Sequence, residues 1–345
     1  MHLKSTPEDF IVEEINTLHF NLEGKFSYYQ LKKRDLESGS AIQQIADRWK
    51  INQKYINIAG NKDKIAVTTQ FISISQGPEQ NMKSDNLELT FLGKGKAALQ
   101  LGHLEGNKFT IVVREITSEE RKNFLEHIKN TKKKSSKLPS FVNYYDDQRF
   151  GNSRNNHLIG KHLVRKEFKE ACVLITATTH YPQVLAKEHL DKLPTDFIGA
   201  LRCLPKKVVL MYVHAYQSWL WNETAKLLIT KASKKIHTGE YSAGTLLYPQ
   251  TAVKNVRIPL IGFDIEDADP VIEKILQEMM KKEHITSRDF LPKQMPELLT
   301  AGGSRDLLID CKNFDFKELD AETITVSFQL GKGSYATMVV KQLFG

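Results

Sequence analysis

A chain of 345 residues, 41% hydrophobic and 26% charged, is long enough for two domains or one large one, and it needs neither disulfides nor a metal to bury a core. A formal charge of +8 suits an anionic partner, nucleic acid first among them, while Cys172, Cys203 and Cys311 are too few, too far apart and odd in number for a disulfide framework and read as core or incidental thiols. No run approaches the roughly 18 apolar residues of a membrane span, and the opening MHLKSTPEDFIVEE is polar and acidic, so a cytoplasmic protein without membrane contact is the expectation.

In chain order, Phe10-Ile11-Val12 and Tyr28-Tyr29-Gln30-Leu31 are β-rich runs around a turn at Gly24. Ser38 or Ser40 is placed to cap a helix through AIQQIADRW, which puts Ile42, Ile45, Ala46 and Trp49 on one face. A strand over Tyr55–Ala59 leads into GNKDKIAVTTQ. FISIS, LELTFLG and KFTIVVREI then alternate as half-buried strands do. Thr117 and Glu120 stand at capping-box spacing before a helix over SEERKNFLEHIKN. The lysine- and serine-rich TKKKSSKLPS (131–140) reads as a solvated loop, or as a phosphate-contacting one. From about 154 to 300 the texture is mainly helical, with an amphipathic helix at 214–230 and another at 270–284 that has Pro270 near its start. Strict alternation returns in TITVSFQL, and the tail GKGSYATMVVKQLFG closes with a short strand or helix. The order β-rich, helical, β-rich suggests a domain inserted into a discontinuous one.

The chemistry-bearing stretches narrow the function. GKGKAALQLG (93–102) lacks the Gly-Lys-Ser/Thr ending of a phosphate loop and reads as a hairpin turn; GKGSYAT (331–337) has no third glycine. Neither supports NAD, ATP or S-adenosylmethionine, so no nucleotide cofactor is expected. His157, His162, His180, His214, His237 and His284 are scattered without metal-ligand spacing, so no metal is expected either. NYYDDQRFG (143–151) is denser: it is either an aromatic-anchored turn or a nucleotide pocket, since rings stack on bases and amides and arginine read edges or phosphates. Asp63 follows a Gly-Asn turn between Lys62 and Lys64. A lone aspartate there is usually structural. An ammonium that reaches it would hold it anionic, as a carboxylate nucleophile must be.

Six stretches in one order, KSTPEDFIVEE, GNKDKIAVTTQ, LGHLEGNKFTIVVREI, NYYDDQRFG, AYQSWLWNE and GSYATMVVKQLF, together resemble the TruD-type tRNA pseudouridine synthases, from about residue 4 to 344. The resemblance implies an α+β fold. A pseudouridine synthase catalytic domain with a mixed, largely antiparallel sheet would occupy 1–153 and 301–345, and a mainly helical TRUD domain would be inserted at 154–300. It implies isomerisation of a uridine in tRNA, uridine 13 in bacterial relatives, with tRNA as partner and no cofactor. Carried over position by position, Asp63 matches the catalytic aspartate. Lys4, Asn143, Tyr145 and Arg149 would support it, and Phe10, Lys62, Gln148 and Phe150 would bind substrate. Lys4 is preferred to Lys62 and Lys64 as the partner of Asp63, because adjacent side chains of an extended strand point to opposite faces. Tyr145 departs from the usual Phe of relatives, keeping the stacking face and adding a hydroxyl. The alternative is an RNA-binding protein or chaperone with an inactive site. A monomer is the expected state.

Overall fold

The computed structural model describes residues 1–134, 140–178 and 180–345. Its class is α+β, and its chain contacts divide it into two compact units. The first comprises Met1–Ser140, Ile309–Ala336 and Phe344; the second comprises Phe141–Leu308, Thr337–Leu343 and Gly345.

The chain opens with β1 (Phe10–Ile15), β2 (Phe26–Arg34), α1 (Ser38–Trp49), β3 (Ile56–Ile58), β4 (Val67–Ser75), β5 (Met82–Lys83), β6 (Leu87–Gly95), β7 (Gly106–Val113) and α2 (Ser118–Lys134). Then come β8 (Phe141–Val142), α3 (Asn156–Val164), α4 (Phe168–Thr176), α5 (Gln183–Lys192), α6 (Phe197–Arg202) and α7 (Lys206–Ala232). They are followed by β9 (Ile236–Tyr241), β10 (Gly244–Pro249), β11 (Arg257–Pro259), α8 (Pro270–Lys282), β12 (Ser304–Asp306) and β13 (Leu308–Ile309). The last elements are β14 (Lys312–Glu318), β15 (Ile324–Gly331) and α9 (Ala336–Phe344).

The first unit is built on one sheet in the order β14-β15-β7-β1-β4-β2-β6-β5, with β3 also paired to β4. β1 runs parallel to β4 and all other pairings are antiparallel, so the sheet is mixed and largely antiparallel. Tyr29 and Leu31 of β2, Ile72 and Ile74 of β4 and Leu87 and Leu89 of β6 cover one face and pack on Ala41, Ile45 and Ala46 of α1. Strand periodicity of two and helix periodicity of 3.6 meet there to form the core.

Several sequence expectations change. Neither serine hydroxyl caps α1: Glu37 is its N-cap, and Ser38 Oγ instead accepts from the backbone N–H of Lys62 at 3.1 Å. Residues 93–102 are not a hairpin, because β6 and β7 are not neighbours in the sheet. Gly95 lies within β6, where a Cβ would strike the Tyr28 ring, so that glycine serves a close approach rather than a turn. Helix α2 starts at the expected box, with Thr117 N–H donating to Glu120 Oε2 at 2.8 Å and Glu120 N–H to Thr117 Oγ1 at 3.2 Å. It runs on to Lys134 because lysines propagate a helix well. Residues 135–139 of the stretch read as a loop lie outside the described residues.

The second unit centres on α7, which is much longer than the amphipathic helix expected at 214–230. Tyr212, Val213, Ala215, Tyr216, Gln217, Leu220, Trp221, Asn222 and Ala225 are all buried, so the helix is enclosed on most sides rather than amphipathic. Pro270 occupies the first turn of α8 after the Asp269 cap.

Candidate active site

In the first unit, Asp63 sits in the loop between β3 and β4, and three neighbouring elements pin that loop. From α1, Ser38 Oγ bonds the Lys62 backbone. From β1, Glu14 Oε2 takes the Lys62 ammonium at 2.8 Å, a pair whose side chains are only 6% and 0% exposed. From β2, Lys33 Nζ donates to the Asp63 backbone oxygen at 2.7 Å and to Leu36 O at 2.6 Å. The carboxylate itself projects from this fixed backbone to Lys4, Nζ to Oδ2 2.6 Å. Lys4 reaches it from a left-handed backbone, φ 61°, which a lysine adopts only where surroundings enforce it. Its ammonium also lies 4.1 Å from the centre of the buried Phe10 ring. A partly exposed ion pair contributes little to stability, so what this one supplies is placement of charge.

Lys4, Phe10, Lys62 and Asp63 are therefore brought together, with different duties. The Lys62 ammonium is committed to Glu14 inside the protein, and Phe10 forms the floor beneath Lys4. Lys33 was missed by the sequence reading. It is only 1% exposed, and burial first, with the nearby Lys62 charge adding to it, pulls its ammonium down to about 8 against the opposing pull of Asp63 and Glu37. The signal was available: Tyr29, Leu31 and Lys33 share one face of β2, so the alternation aims the lysine inward.

In the second unit, Asn143 and Tyr145 are buried side by side after β8. Asn143 Nδ2 donates to Asp306 O at 3.2 Å. Arg305, on β12, donates through Nε to Asn143 O at 2.7 Å and through a terminal nitrogen to Asn143 Oδ1 at 2.5 Å. The same guanidinium lies 4.2 Å over the Tyr145 ring, whose edge meets Trp221 of α7 at 5.7 Å. Asn222 of α7 closes the frame, accepting from Tyr145 N at 2.9 Å and donating to Tyr145 O at 2.9 Å. Arg149 Nε donates to Ser218 Oγ at 2.9 Å, with its guanidinium 5.5 Å from the Tyr145 ring, and Gln148 is exposed. Phe150 is fully buried against His157 and Tyr241. Asp146 and Asp147 of the same stretch are bound by Lys341 of α9 at 2.6 and 2.9 Å. Arg305 was the second residue missed. It stands alone in GGSRDLL, and nothing local there announces an arginine that locks an amide 162 positions earlier.

Among the described residues no group of three or more histidine, cysteine or acidic side chains is arranged to hold a metal, and no helix is long and apolar enough to cross a membrane. The chemistry on offer is a fixed carboxylate beside an ammonium in one unit, and a buried amide and a framed aromatic ring in the other.

Comparison with known proteins places these features in a wider set. The family model described as tRNA pseudouridine synthase D (TruD) matches residues 1–183, 179–252 and 249–343. The chain is 29% identical to tRNA pseudouridine synthase D of Aquifex aeolicus, over 100% of this chain and 98% of that protein. It is 32% identical to a Methanocaldococcus jannaschii protein assigned as tRNA pseudouridine synthase D 2, covering 100% of this chain and 92% of the relative. A crystal structure from Methanosarcina mazei, assigned to tRNA pseudouridine synthase D, superposes with a TM-score of 0.71 at 26% identity, covering 99% of this chain and 93% of that one.

Proposed function

The chain belongs to the TruD family of tRNA pseudouridine synthases, and on that premise we propose that it converts uridine 13 of tRNA to pseudouridine, with Asp63 as the nucleophile. The observation that carries this reading is the Asp63 carboxylate held at 2.6 Å from Lys4 on a loop fixed by Ser38, Glu14 and Lys33. The bond from ribose C1′ to N1 of uracil breaks, the base turns, and C1′ bonds to C5. The C5 proton leaves and N1 gains one, so atoms balance with nothing consumed. Direct attack at C1′ and a glycal route both start from an anionic carboxylate. In this reading Asn143 holds an edge of the base, Tyr145 stacks on its face, and Arg149 contacts phosphate or carboxylate. The target base must leave its stack, at a cost of a few kcal/mol that these contacts offset. Lysine–phosphate contacts supply salt-sensitive affinity for tRNA.

The assignment of residues 1–153 and 301–345 as the catalytic domain, with 154–300 inserted, belongs to the same proposal, as do a cytoplasmic setting and a monomeric enzyme. The test is pseudouridine mapping of unmodified tRNA after incubation with wild-type protein and with Asp63→Asn. Wild-type protein modifies position 13, and the variant, folded to the same melting temperature, loses on the order of 10⁴-fold in turnover. Wild-type turnover by Asp63→Asn removes the nucleophile assignment. RNA binding by the wild type with no modification of any RNA returns the inactive RNA-binding reading.

A further inference from the structure

The second unit also holds a relay of three side chains that the isomerase reading does not use. His189, on α5, places Nε2 at 2.8 Å from Asp196 Oδ2 and Nδ1 at 3.6 Å from the sulfur of Cys203. Asp196 caps α6, its other oxygen accepting from Gly199 N at 2.9 Å, and Cys203 follows the last turn of that helix. The Gly199 N–H first, and His189 second, hold the Asp196 carboxyl below its usual range. An acceptor at Nε2 fixes the proton there and leaves the Nδ1 lone pair facing the thiol. The two groups sit on opposite edges of the imidazole, an arrangement for passing a proton and not for sharing a metal ion. The room for it is specific: a Cβ at Gly199 would collide with both Asp196 Oδ2 and His189 Nε2. Cys203 is exposed, whereas Cys172 and Cys311 are buried and burial pushes each thiol up to about 12. Exposed Lys206 and Lys207 follow at the start of α7, adding positive charge near the thiol in the chain.

We propose that Cys203 is a site of reversible modification by small anionic disulfides, with His189 as its base and Asp196 as the residue that orients His189. The thiol proton passes to Nδ1 as the sulfur attacks one sulfur of the reagent. The reagent's S–S bond breaks, a mixed disulfide forms on Cys203, and the departing thiolate leaves with the proton from His189. Another small thiol reverses the step. Of the three cysteines read as core or incidental thiols, Cys172 and Cys311 are buried, and the proposal gives the exposed Cys203 a role of its own.

The test uses the full-length protein with oxidised glutathione, following the adduct by peptide mass at neutral pH. Cys203 of the native protein takes the adduct at least 10-fold faster than Cys203 in the urea-unfolded chain, and Cys172 and Cys311 stay unmodified. His189→Gln and Gly199→Ala each slow it about 10-fold, and Cys203→Ser abolishes the fast adduct. Equal native and unfolded rates overturn the proposal without depending on any variant's folding. So does a folded His189→Gln that reacts as fast as wild type.

Discussion

The surroundings of Asp63 and of Tyr145 are built from different materials. Around Asp63 the sheet buries ions, Lys33 beneath the loop and Lys62 with Glu14 beside it, and a partly exposed Lys4 pairs with the carboxylate. Around Tyr145 a single enclosed helix and one arginine hold an amide and a ring, through Asn222, Trp221 and Arg305. The first arrangement fixes where a negative charge points. The second fixes the plane of a ring and the direction of an amide. Buried ions are costly to hold and easily outperformed in stability by apolar side chains; a hydrogen-bonded amide frame is stabilising and costly to break. The two regions should therefore answer perturbation in opposite ways.

The largest stability effect of a single substitution at neutral pH is expected from Arg305→Ala. It strips both acceptors of Asn143 and the cation over Tyr145, a loss of about 3 kcal/mol. Denaturant melts followed through Trp219 and Trp221 measure it, and a loss under about 1 kcal/mol would mean the frame holds without its arginine.

The pH limbs separate the regions next. Native Lys33 titrates at about 8 against 10.5 when unfolded, so between those values the unfolded chain holds the extra proton. Stability of the first unit then rises by about 3 kcal/mol from pH 8 to 10.5. His157 of the second unit is pulled down to about 4 from 6.5 by burial, with the Lys161 charge adding to it. There too the unfolded chain holds the extra proton, and about 3 kcal/mol is lost as pH falls from 6.5 to 4. Lys33→Met should flatten only the alkaline limb, read through Trp49, and His157→Gln only the acid one; a variant that keeps its limb breaks the assignment. The smallest effect belongs to Tyr145→Phe. If the ring face is what counts, single-turnover rates change less than about 3-fold; a fall of 100-fold or more would instead make the hydroxyl a proton carrier.

What the sequence disclosed follows the same division. The Thr117–Glu120 box and the Pro270 start were legible because each is local, whereas Asp63 stood out as a candidate only through six ordered blocks taken together. Strand alternation placed the sheet's segments but not their order, and the parallel pairing of β1 with β4 across some fifty intervening residues left no mark in either strand. Lys33 hid in plain alternation because lysine is habitually read as surface. Arg305 and the enclosure of α7 depend on partners far along the chain, which no window of sequence contains.

The order of strands has a consequence for synthesis. β7 is made early, yet its partner β15 comes from the last segment of the chain. At cellular elongation rates roughly 10–40 s separate the two on the ribosome. During that interval β7 offers an unpaired edge on an otherwise assembled sheet, a template for any extended peptide nearby. The nascent chain is then most vulnerable to aggregation while the second unit is being translated, and a truncation just before β14 would leave that edge permanently open.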